Sequence, residues 1–181
     1  KDENISSIVS IKENDDFTKY LMFATKGGII KRTPVEEFDS IRKSGKIAIV
    51  LKEDDELISV KKTCGKNEIV IGASNGRMVR FDENEVRSMG RSSSGVKGMD
   101  LDGSYVVGAE VVNSGQYILI VTEKGYGKKT VIDEYRLTHR GSKGVRAFNV
   151  TEKNGMMAAL KCVDEGNDYD VIVVTNSGII M

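Results

Sequence analysis

Four glycine-centred turns recur along this 181-residue chain at a spacing that few architectures accommodate. TKGGIIKRT from Thr25, SNGRMVRFD from Ser74, TEKGYGKKT from Thr122 and TNSGIIM from Thr175 share one pattern. Their glycines, Gly28, Gly76, Gly125 and Gly178, lie 48, 49 and 53 residues apart. Each turn follows a short apolar run: YLMFA, EIVIGA, YILIV or DVIVV. A glycine at that place suits a hairpin turn that requires positive φ. Downstream, Thr33, Asp82 and Thr130 each precede an acidic residue three places on, Glu36, Glu85 and Asp133. That arrangement predicts a capped helical turn, with Pro34 at its first position. Basic loops come next, SIRKSGKIAI, SMGRSSSGVKGM and LTHRGSKGVRAF, centred on Gly45, Gly95 and Gly144 at intervals of 50 and 49 residues.

Two further strand-like runs close each unit: ELISVKK with EIVIGA, YVVGAEVV with YILIV, and MMAALKCV with DVIVV. Four short strands per unit of this length is the period of a propeller blade. Leucine-rich and helical repeats are excluded by the period and by the lack of an apolar stripe of 3.6-residue spacing. The expected fold is all-β and propeller-like, with three whole four-stranded units over 25–73, 74–121 and 122–174. Partial units are expected at 1–24, where ISSIVSI and YLMFA would close an earlier blade, and at 175–181. The first residue is Lys1 and the last run is short, so both ends read as cuts through a larger protein.

The net charge is zero, which at first disfavours nucleic acid. The distribution reverses that reading. From turn glycine to loop end the net charge is +3 over Lys26 to Lys46, +2 over Arg77 to Lys97 and +5 over Lys124 to Arg146, so the remainder carries −10. Lys31, Arg32, Arg80, Lys128 and Lys129 follow the turn glycines. Arg42, Lys43 and Lys46, then Arg87, Arg91 and Lys97, then His139, Arg140, Lys143 and Arg146 surround the loop glycines. Equivalent positions in a propeller lie at equivalent places around the ring, so these cations are expected to form a band along one curved edge. Such a band attracts duplex DNA by releasing its condensed counterions, and loop Gly and Ser leave backbone amides free for phosphate. Aromatic content is 6% with no Trp, and Tyr105, Tyr117 and Tyr169 fall in or beside strand runs. Stacking platforms for single strands are therefore not expected, nor is a recognition helix. Phosphate contacts along an arc imply bending with little base readout.

Other classes find less support. No apolar run reaches the length of a membrane span, and KDEN at the start is no signal peptide. Cys64 and Cys162 have no metal spacing and are expected to be reduced. His139 has no cysteine or carboxylate neighbour in sequence, GGIIKRT and GYGKKT lack P-loop spacing, and EDDE from Glu53 lacks the calcium-loop pattern. No catalytic residue, metal, cofactor or small-molecule substrate is assigned; a protein-binding propeller using its acidic face is the rival from another class.

VRFDENEVRSMGRSSSGVKGM and TEKGYGKKTVIDEYR with GSKGVRAFNVTEKNG resemble the repeats of the gyrase A C-terminal domain of bacterial DNA gyrases, across essentially the whole chain. The related domain of topoisomerase IV shares that architecture. The resemblance implies a β-pinwheel whose blades exchange strands, with DNA wrapped on its basic perimeter so that ATP-driven strand passage introduces negative supercoils. It also implies the rest of the gyrase A polypeptide and the gyrase B polypeptide as partners in an A2B2 assembly, a cytoplasmic, nucleoid-associated location, and ATP and Mg bound elsewhere. The family's signature box, Gln-Arg-Arg-Gly-Gly-Lys-Gly, has its nearest match in THRGSKG, which keeps Arg140, Gly141, Lys143 and Gly144. That stretch is read as a repeat-equivalent, with the box itself expected upstream of Lys1.

Overall fold

A computed structural model describes residues 5–11, 18–39, 44–113, 116–166, 170–172, 174 and 177–180. The strands are β1 (Tyr20–Thr25), β2 (Ile29–Pro34), β3 (Leu57–Thr63), β4 (Glu68–Ala73), β5 (Arg77–Asp82), β6 (Val96–Lys97), β7 (Val106–Val112), β8 (Tyr117–Thr122), β9 (Gly127–Val131), β10 (Val145–Arg146) and β11 (Met157–Val163). They form three sheets, in the orders β3-β1-β2-β6, β7-β4-β5-β10 and β11-β8-β9. The chain is all-β and propeller-like, with the β1–β2, β4–β5 and β8–β9 hairpins turning at Gly28, Gly76 and Gly125. These three glycines sit at φ 80°, 80° and 79°, in the left-handed region that a side chain resists.

Each sheet's first hairpin strand is an apolar run with no alternation, and in the middle sheet both faces of that strand are covered. Ile69 and Ile71 of β4 pack toward the first sheet with Met22, Ala24 and Ile30. Val70, between them, packs toward the third sheet with Ile118, Ile120 and Leu160. Each of these larger aliphatic side chains contributes about 1.5 to 3 kcal/mol on burial. The two inter-sheet layers are separate apolar clusters that back onto opposite faces of the middle sheet.

β3, β7 and β11 are the inner strands, with β7 touching both of the others. Ser59 donates to Ala109 O at 3.1 Å, and Glu110 binds Lys61 at 2.7 Å and Lys161 at 3.0 Å. Lys61, Glu110 and Lys161 are register equivalents, facing Met22, Val70 and Leu119 across their sheets. The hub therefore alternates cation, anion, cation.

Several expectations change. β6 and β10, the fourth strands of the first two sheets, come from the repeat that follows, and the third sheet has three strands among the described residues. Residues 5–11 lie outside any strand, and of DVIVV only Val174 pairs among the described residues, in an isolated bridge to Ile180. The helical turns are 3-10 turns at Val35–Phe38, Glu83–Glu85 and Ile132–Glu134. Only Asp82 caps one, accepting from Asn84 N at 2.7 Å. Thr33 and Thr130 stand one place too early, still in the strands, where alternation turns them inward; their buried hydroxyls have no partner among the described residues. Pro34 ends β2 instead of opening the turn.

Candidate nucleic-acid interface

After each of the second and third 3-10 turns the chain crosses back to the preceding sheet and covers its outer edge. Ser88 bridges Arg32, Met89 N donates to Arg32 O at 2.8 Å, and β6 then pairs with β2. One repeat later Thr138 N donates to Arg80 O at 2.6 Å and β10 pairs with β5. The segments 86–97 and 135–146 are thus the outermost layer of the first two sheets, at the opposite edge from the hub. The crossing loops touch each other too, through Gly141 N to Gly98 O at 2.6 Å.

The loop glycines serve this crossing. A Cβ on Gly95 would stand 2.6 Å from Ile30 O, and one on Gly144 would stand 2.1 Å from Met78 O. Loop hydroxyls also fold back on their own turns, Ser93 to Gly90 O and Ser142 to His139 O. The glycines were expected to free amides for phosphate; in the structure they let the loop lie against the neighbouring strand.

The fourteen expected cations separate by environment. Arg87, Lys97, Lys128, Lys129, Lys143 and Arg146 are exposed; Lys46, Arg91 and Arg140 are half-buried; Arg42 and Lys43 lie outside the described residues. Lys97 and Lys143 reach surface carboxylates, Asp100 at 3.5 Å and Asp102 at 3.0 Å, contacts worth little in water. Lys46 donates to Glu37 O, Arg91 to Ile47 O, and Arg140 to Glu85 O and Lys97 O. Lys31, Arg32 and Arg80 are not on the exposed edge. β6 and β10 with their crossings cover β2 and β5, and each of these three cations, Arg80 only partly buried, is used inside that cover.

Lys31 is fully buried, with Nζ donating to Ala48 O at 2.7 Å and to Arg91 O. Burial, reinforced by nearby Arg91 and opposed by Glu37, lowers its pKa from the usual 10.5 to about 8. Arg32 lies over the Tyr20 ring at 4.6 Å and donates to Asn84 Oδ1 at 2.9 Å and Glu83 at 3.5 Å. Arg80 donates to Glu68, to Ile132 O at 2.8 Å, to Tyr135 O at 2.9 Å and to Asp133 at 3.3 Å. Lys129, the third member of that repeat position, stacks on Tyr117 at 4.4 Å and stays exposed, since no fourth strand covers β9 among the described residues.

Sequence reasoning overlooked Arg136. It lies eleven residues after its turn glycine, as Arg87 does, and both are exposed. Extending the in-phase count to every cation of the repeat would have found it, since Arg87 and Arg136 also lie eight residues before their loop glycines, Gly95 and Gly144. Neither arginine, nor Lys128 or Arg146, has a side-chain hydrogen bond or ion pair among the described residues.

Chemistry other than charge is sparse. His139 is exposed and contacts Glu85 at 3.2 Å. Cys64 and Cys162 are free and half-buried. No group of three or more His, Cys, Asp or Glu among the described residues is arranged to hold a metal. No helix among them is long and apolar enough to cross a membrane.

Known proteins share this architecture. A family model described as the DNA gyrase C-terminal domain, beta-propeller, matches three times, at residues 19–64, 67–113 and 116–164. Each match contains one hairpin and its inner strand, hence three strands of one sheet. The gyrase A polypeptide of Staphylococcus epidermidis DNA gyrase is 45% identical over 99% of the chain, and that of Staphylococcus aureus is 43% identical over the same share. The chain spans 20% of the length of these relatives. Among solved structures, the C-terminal domain of a DNA topoisomerase IV superposes with a TM-score of 0.83 at 28% identity, covering 94% of this chain and 54% of that one. A DNA gyrase A C-terminal domain superposes with a TM-score of 0.73 at 28% identity, covering 91% and 59%.

Proposed function

Because the chain belongs to the DNA gyrase C-terminal domain family, we propose that it binds duplex DNA along its outer edge and bends it. The observation that carries this reading is the recurrence of exposed cations on the outermost layer, of which only Lys97 has an ion-pair partner among the described residues, the surface carboxylate of Asp100. Arg87 and Lys97 in one repeat, and Arg136 and Arg146 in the next, occupy matching places on the segments that cover two adjacent sheets. Lys143, and Lys128 and Lys129 on β9, extend the same edge. Lys46, Arg91 and Arg140 have donors partly engaged by backbone carbonyls and serve as flanking charge. Arg42 and Lys43 keep their sequence-based assignment.

Phosphates held at successive blades force the duplex to follow the curve of the disc. Exposed guanidinium and ammonium groups suit phosphate oxygens, and no described element of this edge is shaped to enter a groove and read bases. In the larger protein this bend would present DNA for the supercoiling reaction of a gyrase A2B2 assembly in the cytoplasm, at the nucleoid. ATP and Mg would be bound by its other parts, and this chain would contribute no catalytic group and bind no small-molecule substrate.

The test is a titration of a fluorescent duplex at several salt concentrations. Replacing Arg87, Lys97, Arg136 and Arg146 together with Ala should weaken binding to all sequences alike and lower the slope of log Kd against log salt by about four. A slope unchanged by the fourfold variant would place the DNA, or a protein partner, on another surface.

A further inference from the structure

Arg32 and Arg80 stand four residues after their turn glycines and share a geometry that goes beyond burying a cation. Both face the next sheet: Arg32 pairs across its hairpin with Met22, which packs against the second sheet, and Arg80 pairs with Val70, which packs against the third. Both reach the 3-10 turn of that next sheet. Arg32 holds Glu83 and Asn84; Arg80 holds Ile132 O, Asp133 and Tyr135 O. Both also use the main chain to hold the far end of the crossing, Arg32 O through Met89 N and Arg80 O through Thr138 N. In each case the crossing is gripped at two points by one residue, and between those points lies an exposed arginine with no side-chain partner among the described residues: Arg87 or Arg136. Tyr135, whose carbonyl Arg80 binds, is the residue before Arg136.

Arg32 has a further brace. Glu83 is fully buried, and its other oxygen accepts from Asn67 N at 2.7 Å. The turn is therefore fixed to the β3–β4 connection as well as to the preceding sheet. Arg80 is braced by Glu68 at the start of β4.

We propose that Arg32 and Arg80 are positioning residues for DNA, each clamping a blade-to-blade crossing so that Arg87 or Arg136 is held at a set place on the outer edge. This rests on the reading that the outer edge binds DNA. It assigns the two arginines no phosphate contact; their side chains are spent inside the crossing, and what they control is the spacing of charges from blade to blade.

A double-mutant cycle on the full 181-residue chain tests this. Arg136→Ala alone should weaken duplex binding roughly fivefold and lower the salt slope by about one. In an Arg80→Met background, where the clamp's donors are gone, Arg136→Ala should cost less than about twofold, because Arg136 is no longer placed. A duplex labelled at both ends should show lower transfer efficiency, hence less bending, with Arg80→Met. Arg80→Lys keeps the charge but has three donors on a single nitrogen, so it cannot hold two carbonyls and two carboxylates from three separate nitrogens as Arg80 does; it should show the same loss of bending with an unchanged salt slope, and it serves where Arg80→Met fails to give a cooperative melt. If Arg136→Ala costs the same in both backgrounds, Arg80 does not position it. If Arg80→Lys restores bending in full, the clamp geometry is irrelevant. If Arg136→Ala has no effect even in the parent chain, the edge is not the DNA site and both ideas fall.

Discussion

Lys31 carries an ammonium group into the base of two surface loops, between Ala48 O and Arg91 O, with no water-facing surface of its own. The folded pKa, about 8, lies below the usual 10.5, so between these values the unfolded chain binds more protons than the folded one. Stability contributed at this site therefore rises as pH increases from about 8 to 10.5. Urea unfolding at several pH values should show this rise, and Lys31→Met should flatten it; equal slopes in the two proteins would mean that Lys31 titrates normally. The same residue shows where sequence reading stops. Lys31 and Lys128 both follow a turn glycine by three places and read identically as loop cations, but Lys31 is covered by the next repeat and Lys128 is exposed. Burial of a cation depends on a segment about sixty residues away in sequence, Arg91 and its loop. No local pattern reports that. Cys162 is the opposite case, legible from composition: burial, then Glu110 and Asp164, push its thiol up to about 11, so it stays protonated and inert at neutral pH.

At the scale of elements, hairpins and their turns were readable because glycine at positive φ and continuous apolar runs are local signals. Strand ownership was not. β6 and β10 are two residues long, Val-Lys and Val-Arg, inside loops whose dominant signal is charge. Their attachment depends on a close approach that can be tested directly. Gly144→Ala would place a Cβ against Met78 O, while Gly125→Ala, at a similar positive φ, meets nothing within 4 Å. Both substitutions incur the backbone strain of about 1 kcal/mol or more. Only Gly144→Ala should also detach β10, seen as fast amide exchange at Ala147, whose N–H donates to Gly76 O, and should destabilise the chain by roughly a further 1 to 3 kcal/mol. Equal losses in the two variants would show that β10 contributes nothing to the second sheet. Capping was half legible for a similar reason: Asp82 caps, whereas Thr33 lies one residue inside its strand. A shift of one residue in a strand moves the side chain to the other face.

For the molecule as a whole, the hub joins what the edge displays. Glu110 is nearly buried between Lys61 and Lys161, whose ammonium groups still reach solvent. Glu110→Gln should lower stability by about 1 to 2 kcal/mol, less than a fully enclosed pair would lose. A chemical melt followed by both backbone signal and tyrosine emission should remain a single transition, since β4 of the middle sheet contributes to both apolar clusters; two separated transitions would show blades melting independently. The overall arrangement, a series of packed, propeller-like sheets, was legible from the repeat period alone. Which cations face outward was not, because the exchanged strands decide it. Those strands also impose an order in time. Ile30 meets Val96 and Met78 meets Val145, partners 66 and 67 residues apart. A nascent chain lengthening by roughly 5 to 20 residues per second must leave each of the first two sheets one strand short for several seconds, until the next repeat has been made. Every unfinished blade then presents an open edge to whatever is nearby, including the wrong repeat of a neighbouring nascent chain.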